Sequence, residues 1–324
     1  MNAPDLRGAA LPAATTGHPS EGSNPALVAA IRAALDSGRM PFARFMELAL
    51  YHPEHGYYQT PAARPGRGGD FLTAPELSPF FGQCLARHVA GVWAALGQPA
   101  PFSVVEYGAG GGTLARDILV GLRDEAPACF AATSYELHET NTYRRAAARD
   151  LLTAAGCAER AVWPEPAAAL TPVTGIILTN EFVDALPVHR VVWQNGQLLE
   201  RYVYWDTARA WFTETLAAPS TPRLAAALAD GGITLAEGQS AEINLAAGDW
   251  LTQVAARLER GGVLTIDYGY PTAELYAPKR RDGTFLCYFQ HTVVDDPYTR
   301  VGAQDMTAHV DFGALERVGA GVGL

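Results

Sequence analysis

The sequence predicts an α/β protein whose largely parallel sheet is covered by helices on both faces. From Pro101 onward, short apolar runs alternate with helical stretches, which is the pattern of parallel βαβ units. One run, GIILT at Gly175–Thr179, is apolar enough to be a strand buried on both faces. A glycine-rich turn at residues 108–112 follows the first run, where such sheets bind ligands.

Composition is that of a folded protein rather than of a nucleic-acid or membrane-spanning protein. Apolar residues make up 48% of the 324 residues and charged residues 18%, so one large core is expected. The net charge of -10, without a run of Lys and Arg, argues against nucleic acid as the main partner. It fits a cationic substrate, although an acidic balance also serves solubility. No segment reaches the roughly 18 consecutive apolar residues of a membrane span. The sequence leaves the oligomeric state open.

Neither the cysteines nor the N-terminus indicates a special site. The four cysteines lie far apart without a C-x-x-C pair, so we expect no disulfide framework and a reducing compartment, the cytoplasm. HPEH at residues 52–55 lacks the spacing of a zinc site, and no metal is predicted. Residues 1–24 show neither a signal-peptide nor a transit-peptide pattern, and we expect a disordered arm.

Residues 25–100 are predicted to form a helical cap with a lid. Helices are expected at Pro25–Ser37, near Phe42–Leu50 and through Ala95. The segment GDFLTAPELSPFFG, at residues 69–82, follows a loop rich in Gly, Pro and Arg and can fold over a ligand with Gly69 as its hinge. The lid residues expected to line the cleft are Asp70, Phe71, Pro75 and Glu76.

Residues 101–324 are predicted to form the ligand-binding domain. The predicted elements, in order, are strand Phe102–Tyr107, helix Leu114–Arg123, strand Thr133–His138, helix Tyr143–Ala155, strand Ala161–Trp163, strand Gly175–Thr179, helix Ala247–Glu259 and strand Val263–Asp267. Within residues 188–242 the period changes to two between Val188 and Thr215, and the Asn195-Gly196 pair predicts a tight hairpin turn. This stretch is therefore expected to be a β-rich insertion.

The spacing of the glycines indicates which ligand the turn binds. A dinucleotide-binding turn needs a glycine five residues after Gly108, but Thr113 stands there. The pattern E-x-G-x-G-x-G, formed by Glu106, Gly108, Gly110 and Gly112, is instead typical of S-adenosylmethionine (SAM) binding. SAM has no pyrophosphate, so the turn need only pass under its amino-acid tail while Glu106 meets its ammonium group. The alternative is a flexible turn without a ligand.

Other residues are candidates for binding the ribose and the adenine of this cofactor. Glu139, just past the second strand, is expected to accept hydrogen bonds from the two ribose hydroxyls, and Glu136 is the weaker alternative. Trp163 follows the third strand, where its ring could stack on the adenine or fill the core. Both roles of Trp163 stay open.

Polar residues directly follow the buried strand. Asn180, Glu181 and Asp184 are expected at the carboxyl edge of the sheet, with Asn180 near both the cofactor and the methyl acceptor. If the methyl acceptor is an arginine, carboxylates there would bind its guanidinium and offset the repulsion between that cation and SAM. The alternative is an Asn cap with acids in the first turn of a helix.

An arginine that accepts a methyl group loses a proton, which either a carboxylate or a histidine could accept. His309 and Asp311 have the spacing that places two residues on one face of a strand, although a structural role is the alternative. His291 is a weaker candidate for the same task.

Five segments, in this order, resemble the MidA-like methyltransferases. They are GDFLTAPELSPFFG (69–82), EYGAGGGTLARDIL (106–119), TNEFVDALPVHR (179–190), TIDYGY (265–270) and QDMTAHVDF (304–312). The resemblance implies a Rossmann-like class I methyltransferase fold, SAM as cofactor and a protein arginine as methyl acceptor. A mitochondrial relative assists respiratory complex I assembly in this way, which implies a subunit of that complex as partner.

The sequence departs from that family at few positions. Phe285-Leu286 stands where Leu-Arg is usual, some members carry a larger residue in place of Gly111, and the family normally continues past the position of Leu324. Two other functions remain open. One is a methyltransferase of the same fold with a small-molecule or other protein acceptor, and the other is a non-catalytic assembly chaperone.

Overall fold

Two main β-sheets with different strand directions organise the chain. The computed structural model describes residues 18, 20–35, 38–60, 73–164 and 171–324. The helices are α1 (Pro25–Ala33), α2 (Phe42–Tyr51), α3 (Ala74–Leu77), α4 (Pro79–Ala95), α5 (Thr113–Glu125), α6 (Pro127–Ala132), α7 (Thr142–Ala154), α8 (Arg223–Asp230), α9 (Leu245–Ala255), α10 (Thr272–Leu275) and α11 (Phe312–Val322). The strands are β1 (Arg39–Pro41), β2 (Phe102–Tyr107), β3 (Thr133–His138), β4 (Ala161–Val162), β5 (Val173–Asn180), β6 (His189–Gln194), β7 (Gln197–Asp206), β8 (Trp211–Ala217), β9 (Ser240–Ile243), β10 (Leu258–Ile266), β11 (Gly269–Tyr270), β12 (Leu286–Phe289), β13 (Thr292–Val294), β14 (Asp305–Thr307) and β15 (Val310–Asp311).

The central sheet is parallel, as predicted. Its strand order is β10-β5-β2-β3-β4, and every neighbouring pair runs parallel. The chain passes from β2 to β3 and β4 on one side, and then to β5 and β10 on the other. This reversal of direction opens a crevice at the carboxyl ends of β2 and β5, where open α/β sheets bind their ligands.

Helices cover both faces of this sheet. Because successive strand side chains point to opposite faces, Val104 packs in the core beneath α4 and α5, whereas Val105 packs against α9 and α11. The α/β fold class is confirmed.

The strand β10 begins earlier than predicted. Gly261 and Gly262 lie inside it rather than in a turn before it. Gly261 pairs with Gly175 of β5, and a Cβ on Gly261 would lie 1.8 Å from the Gly175 carbonyl oxygen. The two glycines therefore mark a close approach of two strands, which the sequence does not distinguish from a turn.

The insertion forms an antiparallel sheet. Its order is β1-β7-β6-β9, with β8 paired to β7. Asn195 and Gly196 connect β6 to β7 with φ angles of 54° and 72°, as the predicted tight turn requires.

The predicted N-terminal cap divides between two cores. Strand β1 pairs with β7, and Phe42 and Phe45 of α2 pack in one core with Val203 of the insertion. Helix α4 instead packs on α5 against the parallel sheet through Ala86 and Val89. Helix α1 ends at Ala33, before the predicted end. A helical apolar pattern shows that a face is buried, but it does not show which core buries it.

A small antiparallel sheet lies beside the crevice at the carboxyl ends of β2 and β5. Strand β12 pairs with β13 and β14, and the Ala308 N–H donates a hydrogen bond of 2.9 Å to the Asp184 carbonyl oxygen. This bond joins residues 305–308 to the loop after β5. None of the helices in the described ranges has both the length and the apolar character needed to cross a membrane.

Candidate active site

A cavity of about 480 Å³ lies at the carboxyl ends of β2 and β5. Its walls come from the glycine turn, the ends of β3 and β5, the turn after α2, helix α3 and the small sheet of β12–β14. The cavity therefore has one end at the glycine turn, here called the donor end, and another at the loop after β5 and the small sheet, here called the acceptor end.

The glycine turn forms the floor of the donor end. Gly108 and Gly110 have φ angles of 73° and 54°, which favour glycine. A Cβ on Gly108 would lie 2.9 Å from the Phe182 ring, whereas a Cβ on Gly110 would meet no described atom within 4 Å. Gly110 lines the cavity. Packing thus explains Gly108, while Gly110 leaves room for a ligand to approach the main chain.

Glu106 is a buried carboxyl group at the donor end. It is 3% exposed, and the Tyr135 hydroxyl donates a hydrogen bond of 2.8 Å to its Oε2. Burial raises the pKa of Glu106 to about 8. A cation placed beside it would favour the charged form. Contact between Glu106 and the ammonium of SAM stays a prediction.

Glu139 lies where the sequence predicts it. Its carboxylate accepts hydrogen bonds from the Gly110 N–H at 2.9 Å and from the Asn141 N–H at 2.8 Å. Glu136 is held elsewhere, because Arg257 donates to it at 3.0 Å and His138 contacts its Oε1. Glu139 is thus the better placed of the two for a ribose.

Trp163 does not belong to the cavity wall formed by the described residues. Its ring packs against the core of the parallel sheet, and the Arg149 guanidinium lies 5.0 Å from the ring centre. This position favours the core-filling alternative. Contact with an adenine stays a prediction.

At the acceptor end, Glu181 has a left-handed backbone with a φ of 47°. The Ala74 N–H and the Asn180 amide donate hydrogen bonds to its carboxylate, yet burial, followed by the charge of Asp267, raises its pKa to about 7. Glu181 therefore links the predicted lid to the end of β5 and can exchange a proton near neutral pH.

Asp184 is the most deeply buried acid of the loop. It is 5% exposed, and the Tyr268 hydroxyl donates a hydrogen bond of 2.5 Å to its Oδ2. Its Oδ1 has no hydrogen-bond partner within the described part of the chain. Burial, followed by the charge of Asp267, raises the pKa of Asp184. A cationic hydrogen-bond donor would satisfy this oxygen and favour the charged carboxylate.

Asp267 holds the backbone of the loop after β5 by hydrogen bonds. It was not among the site residues predicted from the sequence. Its Oδ2 accepts hydrogen bonds from the N–H groups of Phe182, Val183 and Asp184 at 3.0 to 3.2 Å, and its Oδ1 accepts one from the Tyr268 N–H at 2.9 Å. Burial raises its pKa to about 6. Its position at the end of the strand beside β5 was the available signal, because parallel neighbours end at one edge of the sheet.

The helix-capping alternative for Asn180 is wrong. Residues 181–186 form bends and turns rather than a helix. Asp267 accepts the backbone N–H groups that a helix cap would otherwise satisfy.

His309 does not reach the cavity. Its ring lies 5.2 Å from that of Tyr268 and 5.5 Å from that of Tyr270, and Tyr268 rather than His309 lines the cavity. Asp311 caps α11 by accepting the Ala314 N–H at 2.9 Å. The predicted pairing of His309 and Asp311 fails because strand β15 begins only at Val310. His291, the weaker candidate, lines the cavity at the turn between β12 and β13.

Two of the four residues of the predicted lid lie in the cavity wall, and closure over a ligand stays a prediction. Pro75 and Glu76 line the cavity, and the Thr113 hydroxyl lies 3.5 Å from the Glu76 carboxylate. Asp70 and Phe71 lie outside the described residues.

Several cavity residues were not predicted, because no local pattern marks them as site residues, even where they lie inside a recognised segment. They are Tyr51, Tyr58, Arg144, Tyr268, Tyr288, Asp305 and Thr307. Within the described residues, no group of three His, Cys, Asp or Glu side chains is placed to hold a metal ion.

Comparisons with known proteins give one consistent result. The family described as "Putative S-adenosyl-L-methionine-dependent methyltransferase" matches residues 84–324. The protein arginine methyltransferase NDUFAF7 homolog, mitochondrial, of Drosophila melanogaster is 31% identical over 310 residues, which cover 88% of this chain and 67% of that protein. The Rattus norvegicus protein arginine methyltransferase NDUFAF7, mitochondrial, is 26% identical over 307 residues, with 88% and 67% covered.

Solved structures are similar as well. A crystal structure of a Burkholderia thailandensis protein bound to S-adenosyl-homocysteine superposes with a TM-score of 0.84 and 37% identity, covering 97% of this chain and 80% of that one. A native crystal structure of a Burkholderia thailandensis protein gives a TM-score of 0.80 at 37% identity, with 97% and 79% covered.

Proposed function

Because this chain belongs to the S-adenosyl-L-methionine-dependent methyltransferase family, we propose that it transfers the methyl group of SAM to an arginine side chain of a protein. Family membership confirms the predicted cofactor and the predicted class of reaction. The nature of the acceptor is the proposal. It is supported by the charge of the cavity and by the names of the relatives in Drosophila melanogaster and Rattus norvegicus.

The observation that carries the proposal is an excess of acids in the cavity wall. Among the described residues of the wall there is one guanidinium, that of Arg144, whereas six residues carry carboxyl groups: Glu76, Glu106, Glu139, Glu181, Asp184 and Asp305. Carboxylates that are removed from water need a proton or a cation beside them. The cofactor brings a sulfonium and an ammonium. The acids at the acceptor end therefore favour a second, cationic ligand, and a guanidinium matches carboxylates with two parallel hydrogen bonds.

The donor end fits SAM through residues of the chain itself. Glu106 would meet the ammonium, Glu139 the ribose hydroxyls, and the backbone at Gly110 the amino-acid tail. SAM supplies an electrophilic methyl group when bound. The walls of the cavity hold the acceptor nitrogen in place and exclude water.

The acceptor end can orient the nucleophile and take up its proton. Asn180, Glu181 and Asp184 would hold the guanidinium by hydrogen bonds at its edge. The new bond between the acceptor nitrogen and the methyl carbon would replace the carbon–sulfur bond, so that S-adenosyl-homocysteine would leave and the nitrogen would give up one proton. Glu181, with a pKa of about 7, is placed to receive it and to release it to water afterwards.

We propose a respiratory complex I subunit as the protein substrate and the cytoplasm as the location. The resemblance to a family with a complex I assembly factor supports the first point. All four cysteines are free, which fits a reducing compartment. The two similar proteins from Drosophila melanogaster and Rattus norvegicus carry the word mitochondrial in their names.

The test is a labelling experiment. The protein is incubated with SAM labelled in its methyl group and a lysate of the source cell, and the labelled band is hydrolysed and identified by mass spectrometry. Methylarginine in a protein supports the proposal. Methyllysine, or label in the small-molecule fraction, would support the alternative acceptors. SAM binding without any methyl transfer would favour the chaperone. Gly110→Val serves as the background control.

A further inference from the structure

The acceptor end of the cavity has a second wall, built by the small sheet and by the turn after α2. We propose that Asp305, oriented by Tyr58, binds the acceptor guanidinium from the side opposite Asp184, and that this clamp selects arginine over lysine. The inference rests on the proposed function and assigns residues that recognise its substrate.

Strand alternation explains why the small sheet turns a polar face to the cavity. Asp305 and Thr307 are two residues apart on β14, so their side chains share a face, while Met306 points to the core. Tyr288 of β12 pairs directly with Asp305 across the antiparallel ladder and therefore shares that face. All three polar side chains line the cavity. The apolar face of the same strands anchors them, since Met306 and Cys287 are fully buried.

Asp305 is held in one orientation. It is 3% exposed, and its Oδ1 accepts hydrogen bonds from the Tyr58 hydroxyl at 2.6 Å and from the Met306 N–H at 2.9 Å. Tyr58 is positioned in turn, because the Asn141 amide donates to its carbonyl oxygen at 2.7 Å. Burial, followed by the charge of Asp305, raises the pKa of Tyr58, so the hydroxyl stays a donor. This arrangement is that of a preorganised binding group.

Hydrogen bonds connect the two acidic walls. The Ala308 N–H bonds to the Asp184 carbonyl oxygen at 2.9 Å, and the Tyr51 hydroxyl bonds to the Ala185 carbonyl oxygen at 2.9 Å. Asp184 also lines the cavity with a buried Oδ1 that lacks a partner within the described part of the chain. Buried carboxylate oxygens are usually hydrogen-bonded, so we expect the ligand to supply a hydrogen-bond donor to this oxygen.

Arginine fits this site better than lysine. Its planar guanidinium carries donors on two edges, which can face carboxylates on both sides, whereas an ammonium is a compact point charge. Tyr51 and Tyr58, with ring centres 5.4 Å apart, and Tyr288 add aromatic surface at the same end. Aromatic faces attract a guanidinium as well as its hydrocarbon stem.

The experiment measures binding rather than turnover. The full chain is saturated with S-adenosyl-homocysteine, and its affinity for the acetylated, amidated peptides Gly-Gly-Arg-Gly-Gly and Gly-Gly-Lys-Gly-Gly is measured by calorimetry and by ligand-observed NMR up to millimolar concentrations. We expect the arginine peptide to bind at least about tenfold more tightly. Asp305→Asn, which keeps an oxygen for Tyr58 to donate to, should weaken arginine binding about tenfold and remove the preference.

The controls separate a local effect from a folding defect. Asp295→Asn changes an exposed acid outside the cavity wall and should bind both peptides as the wild type does. Unchanged affinity for S-adenosyl-homocysteine shows that Asp305→Asn is folded. Equal binding of the two peptides, no detectable binding of either, or full arginine binding by Asp305→Asn would each overturn the clamp.

A separate readout distinguishes failure of the clamp from failure of the proposed function. If the labelling experiment yields methylarginine and Asp305→Asn leaves the KM for that protein unchanged, only the clamp is refuted. If the label is found on another residue type, the proposed acceptor itself is refuted.

Discussion

The donor and acceptor ends of the cavity are assembled in different ways. The donor end comes from one continuous βαβ stretch, in which Glu106, the glycine turn and Glu139 follow each other along the chain. The acceptor end joins distant segments, and its hydrogen bond between Tyr58 and Asp305 connects residues 247 positions apart. A site made of neighbouring residues depends on local backbone geometry, whereas a site made of distant residues depends on packing of the whole fold.

The largest expected effect lies at the donor end. Gly110→Val places a branched side chain where the cofactor meets the backbone, and it also strains a φ of 54°. We expect affinity for SAM, measured by calorimetry, to fall by more than about 100-fold. Gly232→Val is the matched control, because Gly232 has a φ of 66° and no described atom within 4 Å of its Cβ, but lies outside the cavity wall. Similar losses of affinity in both variants would mean that backbone strain, rather than contact with the ligand, causes the loss in Gly110→Val.

The next effect lies at the acceptor end and should leave the donor end intact. Asp267→Asn turns an acceptor of four backbone N–H groups into an amide, which loosens the loop that carries Glu181 and Asp184. Because hydrogen bonds to charged groups contribute about 1.5 to 3 kcal/mol, methyl transfer should slow by roughly ten- to 100-fold.

The affinity for SAM decides whether the two ends are independent. It should change less than about twofold in Asp267→Asn, since each tenfold change needs about 1.4 kcal/mol. Asp249→Asn, an exposed acid paired with Arg223, should alter neither quantity. Equal losses of SAM affinity and of methyl transfer in Asp267→Asn would contradict the separation.

Proton release tests the charge of the donor end. At pH 7 the Glu106 carboxyl, with a pKa of about 8, is mostly protonated in the free protein, and the ammonium of SAM lowers that pKa by favouring the carboxylate. Binding should therefore release close to one proton, and affinity should rise by roughly 10- to 30-fold as the pH increases from about 6 to about 7.5. Calorimetry in buffers of different ionisation enthalpy measures this number. Glu106→Gln should release almost none, and proton uptake by the wild type would contradict the assignment.

The smallest expected effect concerns Trp163. Because its ring packs in the core rather than in the described cavity wall, Trp163→Phe should change SAM affinity by less than about twofold. The free energy of unfolding should fall by roughly 1 to 3 kcal/mol from lost packing. A tenfold loss of SAM affinity with unchanged stability would instead restore the adenine contact.

The predictions that failed concern residues whose surroundings are formed by distant segments of the chain. His309 and Asp311 have strand spacing, yet the strand begins between them, at Val310. Asp267 was overlooked because its position at a strand end does not show which backbone groups lie near it. Its importance arises from the N–H groups of the neighbouring loop, which only the parallel pairing of β5 and β10 brings within reach.

Local pattern by itself determined the parallel sheet, the glycine turn, Glu106, Glu139 and the polar end of β5, because strand period, turn chemistry and strand-end position act over a few residues. The tertiary structure alone decided that α2 and β1 join the insertion, that His309 lies outside the described cavity wall, and that Tyr58, Asp305 and Asp184 line one cavity. Contacts between distant segments depend on which apolar faces pack together, and many packings satisfy the same periodicity. The residues of the donor end could therefore be predicted from sequence, whereas the second wall of the acceptor end required the folded chain.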